Sequence, residues 1–435
     1  MRINKISVTK LFGVFNHQVY FNMEDRITLV HGQNGIGKTA LLRIINGFFN
    51  SRYSELRSLP FEQFRVDFDD GSHLLIAKFI ELTESLIFQF SQPDSKPETF
   101  SLNFLLDSKL SVLDSAIRKL RLSNEKMLKD IDIFQKNQSL ENIDDSFDDL
   151  LDEDVERIKE EPKWLSQIKK SIDVRFIETQ RLLTHSDVPK AQGDMKHPSM
   201  IPSSLDIYSQ ELAEEIQTKL AEYGALSQSL DRTFPARVVN NKITSELTEE
   251  TLRNKLNEIE EQRSRLIKTS LLEGDENSDF QLQQHIDLTT KNILSVYLED
   301  VEKKFMVFNE IAAKIELFQR IIQQKFRYKN MNISKKNGFT FTTADGKPLS
   351  PTDLSFGEQH ELVMLYQLLF KVKPSSLILI DEPELSLHVA WQVEFLKDLQ
   401  AIIKLADFDV LIATHSPSII DDRWDLTVEL KGPVE

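Results

Sequence analysis

The sequence predicts an α/β protein: a mixed sheet around a phosphate-binding loop, an antiparallel β lobe, and a large helical, partly coiled-coil insertion. Three observations predict it. A short β-branched run, Ile27-Thr28-Leu29-Val30, leads into Gly32-Gln33-Asn34-Gly35-Ile36-Gly37-Lys38-Thr39, which fits the phosphate-cradling pattern G-x-x-x-x-G-K-[ST]. The partners such a loop needs, apolar runs ending in Asp381-Glu382 and in Thr414-His415-Ser416, lie near the other end of the chain. Between the two ends the pattern is mostly helical, so this stretch must fold out and back.

Residues 1 to about 30 read as strands, with Ile3, Ile6 and Val8 before a turn at Gly13, then Val19 and Phe21, then the Ile27–Val30 run. That run suits a buried central strand. Ala40-Leu41-Leu42-Arg43-Ile44-Ile45 opens a helix, so strand, glycine loop and helix follow one another as the motif requires. Arg65–Phe68 and Leu74–Ala77 flank Asp69-Asp70-Gly71, a hairpin signal, and Leu86–Phe90 reads as a third strand before a loop at 91–97. The N-terminal half of the nucleotide-binding unit is therefore placed at 1–104, the helical insertion at 105–334, and the C-terminal half at 335–435. Inside the insertion, residues 141–161 are strongly acidic and read as a solvated segment. Asp173-Val174-Arg175-Phe176-Ile177-Glu178 reads as a core strand, near 172–183. Leu252, Leu256, Ile259 and Leu266, with Arg263 breaking the seam, then Leu294, Leu298, Val301, Phe305, Phe308, Ala312 and Ile315, step by three and four. They predict a helical hairpin near 245–326 turning within 270–284; one face of a compact bundle would show the same spacing.

The glycine loop carries the chemistry most directly. Its amides can converge on phosphate oxygens at a helix N-terminus. Asn34, Gly35, Ile36, Gly37, Lys38, Thr39 and Ala40 would line a triphosphate, with Lys38 on the β and γ phosphates and the Thr39 hydroxyl on Mg²⁺. A strand ending at Asp381-Glu382 puts two carboxylates at the edge of the sheet. Asp381 would order Mg²⁺, and Glu382 would position or deprotonate the attacking water. Ser355-Phe356-Gly357-Glu358 opens another helix, a second anion-receptive N-terminus as well as an ordinary capping box. His415, at the end of Val410–Ala413, would sense the γ-phosphate.

Bulk properties narrow the setting. A net charge of −16 excludes a uniformly basic surface but not a local basic groove. Cysteine is absent, so neither a disulfide framework nor a thiolate metal site can form. No apolar run approaches a membrane span. A soluble cytoplasmic protein is expected, with no membrane partner.

Together, these residues resemble the ABC-type ATPase head shared by transporters, SMC and DNA-repair proteins. Gly32 to Thr39 corresponds to Walker A, Leu354 to Gln359 to the signature, Leu377 to Glu382 to Walker B, and His415 to the switch histidine. Gln180 matches the glutamine that joins the metal and nucleotide, and Leu385–His388 the D-loop. The resemblance implies that two heads pair on ATP, each ATP lying between one copy's Gly32 loop and the other copy's Ser355 and Gly357. The signature departs from the commoner L-S-G-G-Q at Phe356 and Glu358. Asp-Glu-Pro-Glu-Leu-Ser-Leu-His at 381–388 and Ala-Thr-His-Ser-Pro at 413–417 are similar to the AAA family ATPases of bacterial anti-phage systems: the overcoming-lysogenization-defect nucleases, Septu, PARIS and retron systems. The nuclease relatives carry a Toprim domain after the histidine strand, and none is expected here. The resemblance thus implies a homodimer or larger homo-oligomer regulating a separate effector such as a nuclease. The alternatives are a DNA-maintenance ATPase, for which Lys119, Arg121, Lys126, Lys169, Lys170, Arg327, Lys329, Lys335 and Lys336 could contact phosphates, and a transporter subunit, which needs a shorter insertion.

Overall fold

A computed structural model describes residues 1–80, 84–104, 161–178, 204–240, 248–274 and 287–432. From the N-terminus, β1 (Ile3–Leu11) pairs antiparallel with β2 (Phe15–Tyr20), and β3 (Ile27–His31) leaves for a second sheet. Helices α1 (Lys38–Phe49) and α2 (Tyr53–Ser58) follow. Strands β4 (Gln63–Phe68), β5 (His73–Ile80), β6 (Glu84–Ser91) and β7 (Glu98–Phe104) complete an antiparallel sheet in the order β2-β1-β4-β5-β6-β7. The expected hairpin is present, with Asp67 opposite His73 and Gly71 at φ 82° in the turn. β7 extends this meander beyond the expected third strand. Ile6 and Val8 of β1, and Phe64, Val66 and Phe68 of β4, turn to one buried face, the alternation of a half-covered sheet.

The chain then supplies α3 (Lys163–Ser171) and β8 (Val174–Glu178). Four helices follow: α4 (Ser204–Asn240), α5 (Glu249–Lys268), α6 (Leu288–Met306) and α7 (Asn309–Lys325). Next comes a small antiparallel sheet of β9 (Lys329–Ser334), β10 (Gly338–Thr343) and β11 (Pro348–Leu349). Helix α8 (Phe356–Tyr366), β12 (Leu377–Asp381), α9 (Val389–Ala406), β13 (Asp409–Ala413) and β14 (Thr427–Glu429) finish the core.

The second sheet has the order β14-β3-β13-β12-β8, and every neighbouring pair is parallel. Its strands come from both ends of the chain and from the middle. Alternate residues face two different cores, which is why they read as continuous apolar runs. Ile27, Leu29, Ile378, Ile380, Val410 and Ile412 join the core formed with the helical insertion. Val30, Leu377, Leu379, Leu411 and Ala413 join the core formed with α1 and the antiparallel sheet.

The two apolar stripes of the insertion are covered rather than projecting. Leu252, Leu256, Ile259 and Leu266 are buried, as are Leu294, Leu298, Val301, Phe305, Phe308, Ala312 and Ile315, all in one core with the parallel sheet. α6 packs on both α4 and α5. The second stripe is also split, because the chain turns at Val307-Phe308 between α6 and α7. A compact bundle therefore replaces the simple two-armed hairpin. The insertion pattern also ends earlier than expected, since β9 begins at Lys329 and pairs with β10. Gly338 is required where α4 meets this sheet: φ is 60°, and a Cβ there would lie 1.7 Å from the Ser209 carbonyl oxygen. Ser209 Oγ donates to the carbonyl of Phe339 (2.8 Å) and accepts from its N–H (3.1 Å).

A buried charge cluster ties three helices together. Lys325 at the end of α7 contacts Glu361 of α8 and lies 2.8 Å from Asp398 of α9. The Lys325 and Glu361 side chains are 1% and 0% exposed. Among the described residues no helix is long and apolar enough to cross a membrane. The acidic segment before Glu161 lies outside the described residues.

Candidate nucleotide site

The carboxyl edge of the parallel sheet gathers Lys38, Thr39, Asp381, Glu382 and His415. β3 ends at His31, and the loop to α1 wraps back over the edge. Two of its glycines cannot be replaced without movement. A Cβ on Gly32 (φ 153°) would come within 2.7 Å of the Leu430 carbonyl oxygen, and one on Gly37 (φ 103°) within 2.4 Å of Leu11 Cδ2. His17 Nε2 lies 2.8 Å from the Ile36 carbonyl oxygen and braces the loop from behind. Burial lowers the His17 pKa, which keeps the ring neutral there. Ala40 and Ile36 are buried beneath the loop, while Asn34 and Gly35 lie on its exposed side.

Lys38, the first residue of α1, is 5% exposed. Its ammonium donates to the carbonyls of Gly32 (2.9 Å) and Gln33 (3.1 Å) and lies 3.2 Å from His415 Nδ1. Burial lowers its pKa, against the pull of Glu382, Asp381 and Glu384. An ammonium has no lone pair, so His415 Nδ1 accepts and the ring proton sits on Nε2. That nitrogen is 3.2 Å from Glu382 Oε1. The Thr39 hydroxyl donates to Asp381 Oδ1 at 3.1 Å. Cradle, both carboxylates and histidine are thus joined in one chain of contacts.

The parallel register explains the convergence. Asp381 stands opposite Ala413 on β13, which itself stands opposite Val30 on β3. Glu382 follows in a left-handed conformation (φ 47°, ψ 56°), held by its N–H donating to the Ala413 carbonyl at 2.8 Å. A non-glycine residue held there is strained, and the strain turns the backbone sharply at the strand end.

Ser355 and Gly357 belong to a different cluster. Ser355 caps α8, and Glu358 Oε2 accepts from the Ser355 N–H (2.8 Å), the Ser355 hydroxyl (2.7 Å) and the Lys329 ammonium (2.5 Å). Burial opposes ionisation of Glu358, but Lys329 and Ser355 outweigh it and hold its pKa below the ordinary value. A Cβ on Gly357 would touch the Ser386 carbonyl oxygen at 3.4 Å, so this helix end stands beside the Leu385–His388 turn. Gln180 lies outside the described residues.

A family profile for the AAA ATPase domain matches residues 1–420. The chain belongs to this family. Solved structures similar to this AAA ATPase include the Smc head domain with an extended coiled coil from Pyrococcus furiosus, bound to the C-terminal domain of ScpA (13% identity, 100% of this chain and 94% of that chain, TM-score 0.38). Others are the SMC head domain from Thermotoga maritima (11%, 100% and 100%, 0.35) and the recombination mediator protein RecF with ATP (13%, 96% and 92%, 0.28). No curated protein matches the chain.

Two features of the AAA ATPase site were missed by motif reading. Glu384 accepts from the Thr414 hydroxyl (2.9 Å) and the His415 N–H (2.6 Å), fixing the histidine backbone from the turn after the carboxylate strand. Gln392 of α9 accepts from the Ser416 hydroxyl at 2.8 Å. The Asp-Glu-Pro-Glu spacing was visible, but nothing local said that its last carboxylate would reach the next strand. Three of the basic residues considered for DNA are engaged elsewhere. Lys169 is buried against Ser51 (2.9 Å) and Glu161 (2.7 Å), Lys329 is on Glu358, and Lys335 pairs with Glu273. Lys119, Arg121 and Lys126 lie outside the described residues. Among the described residues no group of three His, Cys, Asp or Glu side chains is placed to hold a metal.

Proposed function

We propose that this AAA ATPase is of the P-loop ABC type, binding ATP in the Gly32–Thr39 cradle of one copy and closing it with Ser355 and Gly357 of a second. The observation that carries the reading is the division of the site. Lys38, Thr39, Asp381, Glu382 and His415 form one contact network, whereas the Ser355 helix end is built elsewhere on the same chain. A phosphate would replace the loop carbonyls as partner of the buried Lys38 ammonium. The Thr39 hydroxyl and Asp381 carboxylate fit Mg²⁺, which when bound would offset phosphate charge, the rest of its shell coming from phosphates and water. Glu382 orients the attacking water and takes its proton. His415, donating from Nε2 to Glu382 and facing Lys38 through Nδ1, registers whether the γ position is filled.

Closure then requires ATP, and hydrolysis releases it. In the biological setting the paired heads hold a separate effector, a nuclease in anti-phage defence; the residue strings at 381–388 and 413–417 support this reading. Engagement of Lys169, Lys329 and Lys335 in ion pairs speaks against a DNA groove built from those residues.

The test is Ser355→Arg. The variant should bind ATP as an isolated chain yet fail to pair on adding ATP, measured by light scattering. Pairing equal to the unmodified protein would overturn the two-copy site.

A further inference from the structure

We infer that Lys329 is a positioning residue for the second half of the nucleotide site, neutralising Glu358 so that the Ser355 helix end can receive a phosphate. This deepens the two-copy reading and rests on it. A Ser-x-x-Glu cap is complete without a cation, because the serine and glutamate satisfy each other's donors and acceptors. Here a lysine is added. Lys329 starts β9, in register opposite Thr343, so its backbone is fixed by a sheet rather than a loose turn. Its side chain is 24% exposed and that of Glu358 11%.

The consequence is electrostatic. Ser355 is exposed and its hydroxyl points to Glu358 Oε2. Any anion reaching Ser355 and the first amides of α8 meets that carboxylate within one helical turn. A poorly solvated carboxylate there would repel phosphate and hold the serine hydroxyl for itself. The ammonium at 2.5 Å cancels that charge, so an arriving phosphate can draw the hydroxyl, which donates to Glu358 at 2.7 Å, away from the shared oxygen. Lys329 acts through Glu358 and needs no contact with the nucleotide.

The experiment compares Lys329→Met, Lys329→Arg and Lys329→Met/Glu358→Gln with the unmodified chain and Ser355→Arg. ATP affinity of the dilute chain and ATP-driven pairing by light scattering are read separately. Lys329→Met should weaken pairing about tenfold, the scale of one charge-assisted bond, and change ATP affinity less than about twofold. Lys329→Arg should pair normally, and the double variant should recover pairing to within about threefold, because the uncompensated carboxylate is gone. Normal pairing in Lys329→Met would overturn the inference, as would a double variant no better than Lys329→Met. Loss of pairing in Lys329→Arg as complete as in Lys329→Met would overturn it too, placing the role in packing. If the unmodified chain does not pair on ATP, the two-copy reading falls and takes this inference with it. If it pairs and Ser355→Arg does not, a normal Lys329→Met removes this inference alone.

Discussion

Replacing Lys325 by methionine should cost about 3–5 kcal/mol of stability at neutral pH, the scale for removing one partner of a buried ion pair. The magnitude follows from the surroundings. The side chains of Lys325 and Glu361 are 1% and 0% exposed, and one ammonium serves two carboxylates. Glu361 Oε2 has no hydrogen-bond partner among the described residues. Burial raises the Glu361 pKa against the pull of Lys325. Burial disfavours the Lys325 ammonium, but Glu361 and Asp398 outweigh it and hold its pKa above the ordinary lysine value. The signs follow. A raised Glu361 contributes stability that is fully present below the ordinary carboxylate range and is lost as pH rises through its folded value. Lys325 contributes below the ordinary lysine range and is lost only above its own folded value. Without the ammonium, two carboxylates face each other, and acid relieves them. Chemical denaturation at about pH 8 and about pH 5 should show the deficit shrinking on acidification. A cost below about 1 kcal/mol, or one that does not shrink, would refute this account of the cluster.

Two predictions concern turnover. Glu382→Gln should keep ATP binding and ATP-driven pairing while phosphate release falls about 10²–10⁴-fold, the range for losing a general base; unchanged release would remove Glu382 from the reaction. Glu384→Ala deletes the acceptor of the Thr414 hydroxyl and the His415 N–H. It should lower kcat about tenfold with ATP affinity within about twofold, and an equal loss in both would show that Glu384 supports the cradle rather than the histidine.

What the sequence reveals depends on the range of the interaction. The cradle was legible because strand, glycines, lysine and threonine are consecutive. The carboxylate and histidine strands were legible because buried parallel strands are apolar throughout and then stop at polar residues. The arrangement of the insertion was not. Heptad spacing reports that a helix has one apolar face, and the same spacing serves a projecting arm or a bundle lying on the head. Phe308 even continues the step through the turn that separates α6 from α7, with no glycine or proline to mark it. β9 escaped because Lys-Asn-Met-Asn-Ile-Ser turns only Met331 and Ile333 inward. Lys329 and Glu384 act through partners on other elements, and only the tertiary fold brings them there.

The order β14-β3-β13-β12-β8 has a consequence for biosynthesis. β3 is made well before its neighbours, Val410–Ala413 and Thr427–Glu429. Until those two strands have been made, the strand feeding the cradle has neither edge paired. Assembly of this sheet must wait for them, with the slow kinetics of non-local strand pairing and a long window in which a nascent chain needs protection from aggregation.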